Sequence, residues 1–68
     1  MNKLYFRAEV KKQLALRKWS YTDLAEHTRY TYGTIRVMMY NDEKLSDRAM
    51  KEIASVLDIP MSELETAV

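Results

Sequence analysis

Between Ser20 and Met39 two short helical patterns are separated by only three polar residues, Arg29, Tyr30 and Thr31. A break that short is the arrangement of a helix-turn-helix pair, and it restricts the fold more than any other stretch of the chain. The surroundings agree with it. The 68 residues contain one glycine and one proline, and 47% are apolar, which favours helices with short connections over a turn-rich β protein. A chain of this length forms a single domain over 1–68 and buries roughly 60% of the surface exposed by its unfolded form.

Several classes of protein are disfavoured at once. No cysteine is present, so a disulfide framework and a thiolate metal site are excluded. The first apolar run, Leu4 to Phe6, stops at Arg7 and is soon followed by Lys11 and Lys12, which is not the pattern of an export signal. No apolar stretch reaches membrane-spanning length. The expectation is a soluble protein of the cytoplasm.

An all-α reading follows from periodicity and caps. A first helix over about residues 3–18 buries Phe6, Val10 and Leu14, spaced one turn apart, and ends at Lys18, Trp19 and Ser20. Ser20 opens a second helix running to about Thr28, its hydroxyl placed to accept from the Asp23 N–H. Thr31 caps a third, which buries Ile35 and Met38 and is broken by Asn41 and Asp42. Ser46 caps a fourth, with Ala49, Ile53 and Leu57 inward and Met50 and Val56 at the margins. Asp58 and Pro60 end it, because a residue preceding proline is pushed out of the α region. A fifth, one-turn helix at Ser62–Glu65 returns Leu64 to the core, and residues 66–68 form a frayed tail.

These residues carry a family resemblance. Leu24-Ala25-Glu26, Thr31, Gly33-Thr34-Ile35, Ile53-Ala54 and Leu57 resemble the Cro/C1-type helix-turn-helix domains of phage repressors, over about residues 8–64. The resemblance implies a compact five-helix, lambda-repressor-like bundle whose helix from Thr31 to Met39 is the recognition helix. It places Ala25 where two helices cross closely, Leu24 and Ile35 in the core, and Val10, Leu14 and Trp19 on the first helix side of that core. The chain departs from the family pattern at the turn, where a usual left-handed glycine is replaced by Arg29. A side chain in that conformation costs on the order of 1 kcal/mol and implies a distorted turn.

The outward positions of the recognition helix are unusual for an operator reader. Arg36 is the obvious base-reading side chain, through guanine O6 and N7, whereas Tyr32, Gly33, Val37 and Tyr40 stand where operator readers often carry Gln, Ser or Asn. Tyr32, Arg36, Met39 and Tyr40 fall on one stripe of residue types enriched in protein-binding hot spots. Gly33 costs its helix roughly 1 kcal/mol relative to alanine and so points to close approach of another surface. Tyr21 and Thr34 complete the expected binding set.

Charge is segregated along the chain. Residues 1–40 hold eight Lys or Arg against three acids, and residues 41–68 hold three against seven. A basic half suits phosphates and an acidic half suits a basic protein. Small phage regulators resembling this one take two forms, a Cro-like repressor that binds operator DNA directly and an antirepressor that binds a CI-type repressor. The acidic second half and the aromatic stripe favour the antirepressor, with Asp42, Glu43 and Asp47 as the acidic contacts, and leave operator DNA as the alternative. An enzyme is disfavoured. His27 is the single histidine and has no nucleophile or second carboxylate marked out beside it, so it reads as structural; no cofactor, metal or small-molecule substrate is implied.

Overall fold

A computed structural model describes residues 3–60. Four α-helices, α1 (Lys3–Arg17), α2 (Tyr21–Glu26), α3 (Tyr32–Met38) and α4 (Asp47–Val56), are joined in chain order, with a single 3-10 turn at Asp42–Lys44 between the last two. No strand occurs among the described residues. Four α-helices therefore stand among the described residues where five are expected for the whole chain, and the one-turn helix expected at Ser62–Glu65 and the tail at 66–68 lie outside the described residues.

Helices α2, α3 and α4 each start where a hydroxyl side chain satisfies a free backbone donor. At α2 the cap is reciprocal: Ser20 Oγ accepts from the Asp23 N–H, and the Ser20 N–H donates to Asp23 Oδ2 at 2.8 Å. Thr31 Oγ1 accepts from Thr34 N–H at 3.2 Å to open α3, and Ser46 Oγ accepts from Ala49 N–H at 3.1 Å to open α4. Such caps stabilise a helix by roughly 1 kcal/mol each. Asn41 Oδ1 does the same for the 3-10 turn, accepting from Glu43 N–H.

Two helices end in the same way. Lys18 and Asp58 adopt left-handed φ values of 59° and 56°. The Trp19 N–H reaches back to Leu14 C=O and the Lys18 N–H to Ala15 C=O, and Ile59 and Asp58 repeat the pattern onto Ala54 and Ser55. These are Schellman ends, in which the residue after the reversal lays an apolar side chain back on the helix. Trp19 packs on the core that way and Ile59 is buried within it.

The core joins Phe6, Val10 and Leu14 of α1 to Leu24, Ile35 and the inner face of α4. Met50, expected at the margin, is fully buried, and Leu45, Ala54 and Ile59 are core residues that periodicity did not single out. Leu45 sits in the connection after the 3-10 turn, where no helical period marks it. Two arginines tie α1 to the carbonyl ends of the later helices. Arg7 donates to Met38 C=O through Nε and Nη2 at 3.3 and 3.1 Å, and Arg17 Nη2 donates to Leu57 C=O at 2.8 Å. Carbonyls at a helix C-terminus lack intrahelical donors, so a guanidinium there satisfies them and meets the negative end of the helix.

Candidate nucleic-acid interface

α3 is seven residues long, and its two sides are sharply different. Ile35 and Met38 are buried, while Tyr32, Gly33, Thr34 and Arg36 are exposed. The flanking residues split: Met39 is only 7% exposed, whereas Tyr40 is 71% exposed. Met39 was expected on the outward stripe and is instead part of the core. Its backbone is still helical, and its N–H bonds back to Ile35 and Arg36 C=O, so its side chain continues the Ile35 face. Tyr32 and Tyr40 remain outward around Arg36, with Val37 partly covered.

Gly33 is the one glycine of the chain, and its surroundings are empty. A Cβ built on it would meet no atom within 4 Å, and its φ is not positive. Neither packing nor backbone conformation within this domain requires glycine there. Beside it lies an open groove of about 400 Å³ lined by Thr31, Gly33, Thr34, Val37, Met38 and Lys44. Thr34 is less free than expected: its N–H bonds to Thr31 Oγ1, and its hydroxyl accepts from the Thr31 hydroxyl at 3.0 Å. Lys44 on the groove rim was not among the expected site residues. It follows α3 by a turn whose path the sequence does not state.

The turn between α2 and α3 is not strained. Arg29 has no positive φ, so the distortion expected from a side chain at the usual glycine position does not arise. Hydrogen bonds from two sources shape the turn. Thr28 Oγ1 donates to Ala25 C=O at 3.2 Å and accepts from Tyr30 N–H at 3.1 Å. From α4, Glu52 Oε2 accepts the Arg29 N–H at 2.9 Å while Oε1 meets Arg29 Nε at 2.7 Å.

Folding pairs part of the charge that is segregated along the chain. Arg7 pairs with Asp42, Arg17 with Asp58 and Arg29 with Glu52, each joining a base of the first 40 residues to an acid of the last 28. Asp42 accordingly keeps an exposed side chain but is held by Arg7, and its backbone carbonyl accepts from Lys3 Nζ at 2.7 Å. Glu43 and Asp47 are exposed nearby, in the 3-10 turn and the first turn of α4. Tyr21, at the start of α2, is half-buried against the core.

His27 is occupied by structure rather than chemistry. Its ring stacks on Trp19 with centroids 4.3 Å apart and planes 19° from parallel, and Nδ1 lies 2.8 Å from Asp23 C=O. A carbonyl can only accept, so Nδ1 carries the proton. Arg17 covers the same indole, 5.5 Å from the ring centroid. Among the described residues no group of three or more His, Asp or Glu could hold a metal ion. Nor is any helix there long and apolar enough to cross a membrane.

A capped helix with an exposed outer face, reached through a short turn from the helix before it, is the geometry of a helix-turn-helix unit. Residues 9–68 match the family model of the Cro/C1-type HTH DNA-binding domain. The chain belongs to that family. No curated protein and no solved structure matches the chain closely enough to be counted. In this Cro/C1-type domain α2 and α3 are the helix-turn-helix pair.

Proposed function

We propose that this protein is a non-enzymatic transcription regulator that acts in the cytoplasm by setting α3 into the major groove of duplex DNA. The observation that carries this reading is the division of α3 into a buried side, Ile35 and Met38, and an outer side, Tyr32, Gly33 and Arg36, that the fold does not use. Arg36 is the base reader, through paired bonds to guanine O6 and N7, and the tyrosines flank it along the groove. Lys44 on the rim of the Gly33 groove supplies a cation for the adjacent phosphates. Met39 is buried in the core and Asp42, though exposed, is paired with Arg7, which leaves less of the aromatic and acidic surface that a protein partner would use and favours DNA.

A specific observation keeps a second reading. Tyr32 and Tyr40 are 46% and 71% exposed, both large and amphipathic, and Glu43 and Asp47 lie exposed just beyond them. Such a surface suits an antirepressor of a phage lysis/lysogeny switch, docking on the basic DNA-binding domain of a CI-type repressor. A mobility-shift assay separates the two readings. Under the DNA reading, a duplex selected from a random pool is shifted by this protein alone, and Arg36→Ala weakens that shift by roughly 1–3 kcal/mol while relaxing specificity at one position. Under the antirepressor reading, no duplex is selected by this protein alone, and a repressor–operator band is lost only in the mixture.

A further inference from the structure

Glu52 lies on α4, 23 residues along the chain from the turn, yet both of its carboxylate oxygens are spent on one turn residue. Oε2 accepts the Arg29 backbone N–H and Oε1 takes the Arg29 guanidinium through Nε. The Glu52 side chain is only 19% exposed, so this carboxylate is held against the fold, whereas the arginine side chain is 61% exposed. Thr28 closes the turn on its own helix side and the half-buried Tyr30 rests on the core, while the hydrogen bonds that tie the turn to α4 come from Glu52. The turn also lacks a left-handed residue, the backbone device that would otherwise set its angle.

We propose that Glu52 is a positioning residue: its carboxylate clamps the α2–α3 turn to α4 and so sets the angle at which α3 is presented. Its functional consequence rests on the reading of α3 as the DNA-contacting helix. The backbone bond fixes where the turn sits, and the guanidinium pair fixes which way the carboxylate faces. Because α3 has only seven residues, a small tilt at the turn is carried directly to Tyr32, Gly33 and Arg36. Base contacts demand tighter geometry than phosphate contacts, so loosening the turn lowers sequence-specific binding more than binding to arbitrary DNA.

Two variants test the clamp. Glu52→Ala removes both bonds; Glu52→Gln keeps a carbonyl that can accept the Arg29 N–H and loses the ion pair. Both are studied at a temperature where circular dichroism shows full helix content, using amide hydrogen exchange, backbone amide NMR shifts and binding to a duplex selected by the wild-type protein from a random pool. For Glu52→Ala, the Arg29 amide loses its exchange protection, the amides of residues 32–38 shift, and affinity for the selected duplex falls about five- to tenfold, on the order of 1 kcal/mol. Binding to unselected DNA changes by less than about twofold, well under 1 kcal/mol. Glu52→Gln restores Arg29 protection and most of the affinity. A folded Glu52→Ala protein that keeps wild-type exchange at Arg29, or that binds the selected duplex as tightly as wild type, overturns the clamp. If the wild-type protein selects no duplex at all, the DNA reading fails, and exchange at Arg29 together with the shifts over 32–38 decides the clamp alone.

Discussion

Replacing Gly33 by alanine isolates one term of α3 from all others. The site is exposed, φ is not positive, and the added methyl group meets no atom within 4 Å, so neither strain nor overpacking opposes the change. What remains is backbone entropy, which makes glycine roughly 0.5–1 kcal/mol worse than alanine in a helix. Gly33 stands in the first turn of a seven-residue helix, so the expected gain is near the lower figure. For a domain of this size, about 0.5 kcal/mol raises Tm by roughly 2–4 °C. Trp19 is the single tryptophan, and it bridges the end of α1 to His27 after α2, so its fluorescence reports the loss of tertiary packing. Thermal and urea unfolding followed by Trp19 emission and by circular dichroism should show the same shift without a change in m-value. A variant less stable than wild type would refute the reasoning, because it would mean that glycine is needed inside the domain. The same variant also probes function: a methyl group on the outer face of α3 should weaken binding to a selected duplex even as the protein becomes more stable.

Other perturbations separate inward from outward residues. Phe6→Ala empties the largest fully buried side chain at a cost of about 3–5 kcal/mol. A domain of this size holds only about 0.05–0.15 kcal/mol per residue in total, so much of the variant should be unfolded at room temperature by circular dichroism. The neighbours Met39 and Tyr40 should behave oppositely: Met39→Ala loses about 2–5 kcal/mol in urea titration, while Tyr40→Ala stays within about 0.5 kcal/mol. Equal losses would contradict the placement of either side chain. Ser46→Ala removes the cap of α4 and should cost roughly 1 kcal/mol, with Ser46→Asp restoring most of it.

The parts of the fold that could be read directly are those governed by near neighbours in the chain. Ser20, Thr31 and Ser46 cap the helices expected of them because a capping bond spans only two or three residues. Phe6, Val10 and Leu14 are buried because the helical period alone puts them on one side. The same local logic places Tyr32, Gly33 and Arg36 on the open side of α3. It failed where the deciding contact is distant. Met39 stands at a helix end, where the period allows either direction, and the core settles it inward. Leu45 lies outside any α-helix, so no period marked it as core.

Electrostatics shows the division most clearly. Counting along the chain finds a basic first part and an acidic second part, and reading these as two partner surfaces assumes that they stay apart. Folding instead lays α1 across the ends of α3 and α4 and brings the turn against α4. Arg7, Arg17 and Arg29 then meet Asp42, Asp58 and Glu52. The partners are 35, 41 and 23 positions away, beyond the reach of any local pattern. By itself the sequence determined the helices, their caps and the helix-turn-helix spacing, since each depends on interactions within a few residues. Only the tertiary structure decided which charges remain for a partner, how a turn without glycine is held, and which way Met39 faces at the end of α3, since these depend on residues that meet only after the chain has packed.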